Sequence, residues 1–316
     1  MLYFIINERS GSSRTESTWK EVRQILEERQ ISYRAYVTEY EGHAALLAAE
    51  ICEQPDENIG LVVVGGDGTI NEVINGMTNF EKVRLGVIPG GSGNDFIRGI
   101  GASKNVAENL ENILSAMEKP KEEIKRIDLG QVRWNGGEKP RLFAISAGVG
   151  LDAIVCKKAL KSHLKNLLNR LHMGKLTYLA LTVESLFSMK TVAASIRFDK
   201  SRTEHREKMI FAAAMNLRAE GGGVPMAPGA DFCDGKLSVC QAFGIPKWRT
   251  FFCLPLLAMA KHESLKGFRL TDAAECEVKL KEPMVLHADG EYCGDVTEIH
   301  FSCLPGKLMV LNKTEK

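Results

Sequence analysis

Apolar runs and helical spacings alternate along the first 125 residues. Leu2 to Ile6 is unbroken and apolar, Trp19, Val22, Ile25 and Leu26 follow at helical spacing, and Ile31 to Val37 is a second strand-like run. The rhythm continues with a helix near Ala44 to Cys52, strands at Leu61–Val64 and Arg84–Ile88, a helix over Thr69–Met77, and another carrying Val106, Leu110, Ile113 and Leu114. Unbroken β-branched runs mark strands buried on both faces, so the pattern predicts a mostly parallel sheet built from βαβ units. After the charged stretch Glu118 to Glu123, which contains Pro120, strands dominate. Lys125–Val132 and Arg141–Ser146 flank the turn signal Asn135-Gly136-Gly137. Further runs lie at Ala193–Phe198, Met209–Met215, Leu237–Gln241, Cys276–Leu280 and Val296–Phe301. The expected division is an α/β domain over 1–125 and a β-rich domain over 126–304 with a helical insertion at about 150–190, residues 305–316 packing back on the first.

Two glycine-rich turns stand out against this pattern. Val64-Gly65-Gly66-Asp67-Gly68-Thr69-Ile70-Asn71-Glu72 follows one apolar run, and Pro89-Gly90-Gly91-Ser92-Gly93-Asn94-Asp95 follows the next. A glycine turn between strand and helix lets backbone N–H groups approach an anion, and the helix N-terminus faces the same anion. A single such turn is ordinary, whereas two in succession predict a nucleotide site. Gly65, Gly66 and Gly68 allow positive φ angles and leave no Cβ in the way of that approach. Asp67 sits awkwardly beside phosphates unless a cation lies between them or the carboxylate holds the loop, and magnesium is the expected reconciler.

Composition only bounds the answer. The 316 residues suit two domains, and 44% hydrophobic residues with a net charge of +1 describe a globular protein with no global attraction to nucleic acid. The eight cysteines form no C-x-x-C pair and read as reduced thiols. Met1 to Ile6 lacks a basic leader and reads as a strand, and the longest apolar stretch, Phe251 to Ala260, contains Pro255 and falls short of the roughly 20 residues that span a bilayer. A cytoplasmic, soluble or peripherally membrane-associated protein is expected.

At the two glycine turns the sequence resembles the diacylglycerol kinase catalytic domain family, which includes bacterial soluble lipid kinases and sphingosine kinases. Ile127-Asp128-Leu129-Gly130, Asn216 with Gly221-Gly222-Gly223, Ala227-Pro228-Gly229-Ala230, Asp234-Gly235-Lys236-Leu237 and Asp289-Gly290-Glu291 occur in the family's order, so the resemblance covers nearly the whole chain. It implies an N-terminal α/β domain like that of NAD kinase and phosphofructokinase, a C-terminal β-sandwich, and use of ATP and Mg2+. Nucleotide contacts are implied at Asn7, Ser10, Gly11, Thr38, Gly65, Gly66, Asp67, Gly68, Thr69, Asn71, Glu72, Gly91, Ser92, Asn94 and Asp95. Glu8-Arg9 replaces the family's usual proline-containing turn, leaving Asn7 and Ser10 as donors.

Phosphoryl transfer to an alcohol needs an acceptor for the alcohol's proton. Val285 to Glu291 offers two carboxylates around a glycine turn; the resemblance assigns the base to Glu291, with Asp289 as the rival and Asp67 as a third catalytic carboxylate. It also implies a structural magnesium at Asp231, Asp234 and Lys236, linked through water to Asp128. A metal-free Asx-turn is the plainer reading of that segment. Ser146 stands where the family more often has Asn.

Lys157 to His172 carries basic residues and no acid, with Leu160, Leu164, Leu167, Leu168 and Leu171 on one helical face. Such a helix either lies on an anionic bilayer or packs its leucines on the second domain. The expected activity is ATP-dependent phosphorylation of a membrane-lipid hydroxyl, most plausibly that of diacylglycerol. The alternatives are a kinase of a polar acceptor, like NAD kinase or phosphofructokinase, and a non-catalytic sensor of nucleotide or lipid. A homodimer stays open, and no nucleic-acid partner is expected.

Overall fold

The computed structural model describes residues 1–8, 13–91, 94–137, 139–161 and 174–314. Ser10, Gly11, Ser92 and most of the basic stretch 157–172 lie outside the described residues. The chain divides into two compact units, Met1–Leu129 with Pro305–Lys316, and Gly130–Leu304.

The first unit is a parallel sheet. Strands β1 (Leu2–Ile6), β2 (Tyr33–Val37), β3 (Ile59–Gly65) and β4 (Val83–Pro89) lie in the order β2-β1-β3-β4, with Leu2 opposite both Tyr33 and Gly60 and Ile59 opposite Val83. β1, β3 and β4 are buried throughout, and within β4 this includes Arg84, whose guanidinium donates to the carbonyls of Met117 (3.3 Å) and Lys119 (3.0 Å), whereas edge strand β2 has no buried residue. Helices α1 (Ser13–Glu28), α2 (His43–Cys52), α3 (Asp67–Gly76), α4 (Asp95–Gly99) and α5 (Val106–Met117) connect them. On one face Phe4, Ile6, Val62, Val64 and Ile88 pack with Val22, Leu26, Leu110 and Ile113 from α1 and α5. α2 and α3 pack together so closely that a Cβ at Gly76 would lie 2.1 Å from the Ala45 carbonyl oxygen.

The chain returns to this sheet at its far end, where Met309 and Val310 pair in parallel with Arg84 and Leu85. Asn312 completes the join: its Oδ1 accepts from the Val87 N–H (2.9 Å), and its Nδ2 donates to the Val87 carbonyl (2.8 Å) and to Asn109 Oδ1 (2.7 Å). Asn312 and Asn109 are buried, so these polar groups are answered by one another.

The second unit is antiparallel. β5 (Lys125–Trp134), which enters it from the first unit, pairs with β6 (Arg141–Phe143). Asn135 and Gly136, both at positive φ, form the expected turn, closed by Gly137 N–H to the Trp134 carbonyl at 2.9 Å. β7 (Ser146–Gly150), β8 (Val192–Phe198), β9 (Glu204–Met215), β10 (Leu237–Phe243), β11 (Phe268–Ala273), β12 (Glu275–Ala288) and β13 (Glu291–Val310) make the rest. Long strands serve two partners at different levels: β12 pairs with β8 through Cys276–Leu280 and with β7 through Leu286–Ala288. Helices α6 (Leu151–Lys161), α7 (Gly174–Ser188) and α8 (Lys247–Ala258) accompany the strands. All eight cysteines are free thiols. Among the described residues no helix is long and apolar enough to cross a membrane.

Candidate active site

The nucleotide candidates of the first unit collect at one edge of its sheet. Asn7 follows β1, Thr38 follows β2, Gly65 ends β3 and Gly90 follows β4, so all four lie at carboxyl ends of parallel strands, where open α/β sheets bind ligands. Asn7 donates through Nδ2 to Thr69 Oγ1 (2.9 Å), and the buried Thr38 is fixed by its N–H to the Ile6 carbonyl (2.8 Å).

The two glycine turns hold each other. The Gly65 carbonyl accepts from the N–H groups of Gly90 (2.9 Å) and Gly91 (3.3 Å), and a Cβ at Gly91 would lie 2.6 Å from Gly66 Cα. Gly65, Gly66 and Gly68 are absent from the positive-φ positions, and Gly66 is extended at φ −105°. The left-handed freedom of these glycines is thus not used; Gly66 and Gly91 are required because two backbones touch where no side chain fits. Asn94, at φ +52°, takes the left-handed position and donates to the Gly91 carbonyl (2.9 Å). Asn71 is buried and Glu72 half-buried on α3.

Asp67 supplies the second tie. Its Oδ2 accepts from the Asp95 N–H (2.9 Å) and its Oδ1 from the Phe96 N–H (3.0 Å), so the first residue of α3 caps the start of α4. The geometry shows the carboxylate holding the loop, with helix N–H donors answering its negative charge. Asp95 itself is buried and ion-paired with Arg98.

In the second unit Asp289 and Gly290 are the two central residues of a tight hairpin between β12 and β13. They lie at φ +48° and +86°, and Ala288 pairs with Glu291 across the turn. The Asp289 carboxylate accepts from the N–H groups of Ala144 (2.8 Å), Ile145 (2.8 Å) and Ser146 (3.0 Å). It is thus committed to holding the approach to β7, which separates it from half-buried Glu291 at the start of β13.

Three residues with no role in the sequence reading gather beside this turn. Asp152, Glu220 and His287 bring ligand-type atoms within 4.8 Å of one another. His287 is fully enclosed; its Nε2 lies 3.1 Å from Asp152 Oδ2, and its Nδ1 accepts from the Gly290 N–H at 3.2 Å. Ser146 Oγ bonds Glu220, and a Cβ at Gly148 would collide with Asp152 Oδ2 at 1.9 Å. A metal-bound histidine donates through its second nitrogen. Here that nitrogen accepts, so the neutral ring keeps its proton toward Asp152 and the cluster reads as a hydrogen-bonded chain bracing the turn. Burial pulls the His287 pKa down, but the hydrogen bond to Asp152 and the charges of Asp152, Glu220 and Asp289 outweigh it, raising it to about 8.

Asp231 Oδ1 accepts from the Cys233 N–H (3.0 Å) and Asp234 Oδ1 from the Lys236 N–H (2.9 Å), with Gly235 at φ +74°. These are Asx-type turns, and their carboxylates and carbonyls are hard oxygen donors of the kind Mg2+ takes. Asp128, in the first unit, is buried and accepts from the Gly306 N–H at 2.7 Å. Of the basic stretch, Lys157 pairs with Asp295 (3.3 Å) and lies 4.1 Å from the Tyr292 ring centroid, and Lys158 pairs with Glu184 (2.9 Å).

Comparison with known proteins places both units. The profile of the diacylglycerol kinase catalytic domain matches residues 1–132, and that of the YegS C-terminal NAD kinase β-sandwich-like domain matches 145–312. The chain belongs to the diacylglycerol kinase catalytic domain family. This is a family of phosphotransferases with an alcohol acceptor, and kinase membership implies ATP use. Among relatives, the Bacillus subtilis (strain 168) protein YtlR is 29% identical over 313 residues, covering 98% of each chain. The diacylglycerol kinase of the same organism is 28% identical, over 92% of this chain and 89% of its own. A crystal structure of a diacylglycerol kinase from Bacillus anthracis str. Sterne matches with a TM-score of 0.68 at 19% identity, over 99% of this chain and 96% of its own, which shows the shared fold.

Proposed function

We propose that this family member transfers the γ-phosphoryl group of Mg-ATP to the free hydroxyl of a membrane lipid, with diacylglycerol giving phosphatidic acid as the first candidate. The observation that carries the reading is the division of labour within the Asp289-Gly290-Glu291 hairpin. Asp289 is consumed as a backbone clamp, and Glu291 is the carboxylate assigned to the acceptor's proton. Asn7, Thr38, Thr69 and the Gly65–Gly68 and Gly90–Asp95 turns are assigned to the nucleotide, whose phosphates meet the N-terminus of α3.

In the reaction Glu291 takes the hydroxyl proton, the lipid oxygen bonds to the γ-phosphorus, and the bond from that phosphorus to the β–γ bridging oxygen breaks. Magnesium bound with ATP would neutralise charge on the phosphates, and the backbone N–H groups at the start of α3 would hold them in place. Asp231, Asp234 and Lys236 are assigned to a structural magnesium that would steady their turn.

The test is transfer of labelled γ-phosphate from ATP to a lipid panel in mixed micelles, beside NAD and fructose 6-phosphate. The expected result is labelled diacylglycerol, abolished in Glu291→Gln. Label on NAD or sugar would reassign the acceptor to a polar alcohol, and nucleotide binding without any transfer would make the protein a sensor.

A further inference from the structure

Helix α8 exposes the face that a surface helix normally makes polar. Trp248 is 61% exposed, Phe251 38%, Phe252 66% and Met259 58%. With exposed Pro255, these residues fall on one stripe at helical spacings of three, four and seven. The opposite face is already used, since Thr250, Cys253 and Leu257 are buried against the second unit. Phe187 of α7, 51% exposed, extends the patch: its ring lies 6.4 Å from that of Phe251, which lies 5.4 Å from that of Phe252. α8 is therefore apolar on both sides, and its outer side ends in solvent.

Charge says what covers it. From Ile245 to His262 there is no Asp or Glu, while Lys247, Arg249 and Lys261 flank the stripe. Arg249 and Lys261 are exposed, and Lys247 is anchored by its ammonium to the Phe187 carbonyl at 3.0 Å. A second copy docked through a twofold axis would set these cations against their own mates. An anionic bilayer answers them, with tryptophan and phenylalanine at the headgroup boundary. At 12 residues the helix is about 18 Å long, too short to span a hydrocarbon core of roughly 30 Å, and cations stand at both ends. We infer that α8 lies in the plane of an anionic membrane surface, inserting Trp248, Phe251 and Phe252. This deepens the proposed function by naming where the enzyme meets its lipid, and it rests on that reading for its purpose. Vesicle binding itself needs no catalysis.

The experiment is flotation with phosphatidylcholine vesicles, with and without phosphatidylglycerol, in the absence of ATP. Wild type is expected to float with the anionic vesicles and to lose binding as salt rises. Trp248→Ser/Phe252→Ser should weaken partitioning by roughly a hundredfold, and Arg249→Glu/Lys261→Glu by at least about tenfold at low salt. The blue shift of tryptophan emission on vesicles should vanish in Trp248→Phe, because Trp19 and Trp134 are half-buried elsewhere. Serine-variant binding equal to wild type overturns the inference, as does loss of a concentration-dependent dimer in its place. If wild type floats yet phosphorylates no lipid, the kinase reading falls and this surface stands. If lipid is phosphorylated but the serine variant floats normally, the surface alone falls.

Discussion

Replacing Asp67 by Asn tests whether this carboxylate first of all builds the site. Its two oxygens accept from Asp95 and Phe96 at 2.9 and 3.0 Å, so the amide keeps one bond and turns an NH2 group toward the other N–H. Losing one hydrogen bond to a charged acceptor costs about 1.5–3 kcal/mol, and losing the negative charge at two helix starts costs about 0.3–1 kcal/mol more. A total near 3 kcal/mol corresponds to roughly a hundredfold faster opening. The assay is amide hydrogen exchange on the nucleotide-free protein, read at Asp95 and Phe96, with urea unfolding alongside. Protection of these two amides is expected to fall by that factor while β3 residues such as Val63 stay protected. Unchanged exchange in Asp67→Asn would refute the clamp and return Asp67 to a role felt only when nucleotide is bound.

Three further outcomes follow from the same geometry. Gly91→Ala places a Cβ 2.6 Å from Gly66 Cα and should lower ATP affinity at least about tenfold by parting the turns; calorimetric titration showing wild-type affinity would remove the contact from the site. Asp289→Asn should lower the unfolding free energy by about 2 kcal/mol, because one of its backbone bonds turns repulsive, whereas Glu291→Gln should melt as wild type yet lose transfer. His287 binds its proton more tightly folded, at about 8, than the 6.5 of a free ring, so its contribution is complete below pH 6.5 and is lost as pH rises through 8. That step is at most about 2 kcal/mol, and the Gly290 N–H, which bonds only the neutral ring, offsets about 1 kcal/mol. Chemical unfolding from pH 6 to 9 should show the decline in wild type and not in His287→Gln.

The parallel sheet was readable because β1 and the Leu61–Val64 stretch of β3 are unbroken apolar runs, and the glycine turns because they follow such runs at strand ends. Asp67 was readable as a conflict of charge, and only coordinates could show which donors resolve it. Sequence cannot separate a glycine needed for backbone angle from one needed for a neighbour's approach, and Gly66 is of the second kind. The Asp152, Glu220 and His287 cluster was hidden because its residues are brought together only by pairing of distant strands, Asp152 and His287 being 135 positions apart. α8 was hidden for a different reason. Apolar residues around a whole helix carry no sign of which side the protein leaves uncovered.

The bond set of Asn312 bears on how the chain is made. The first unit is completed by Met309, Val310 and Asn312, yet Gly130–Leu304 separates them from the strands they join. Those roughly 175 residues take about 9–35 s to synthesise at ordinary translation speed. Through that interval β4 has emerged without its last neighbour, and the Val87 N–H and carbonyl wait for Asn312. The Gly90–Asp95 turn hangs from the end of that same strand, so the candidate nucleotide site is finished only after the second unit has been synthesised.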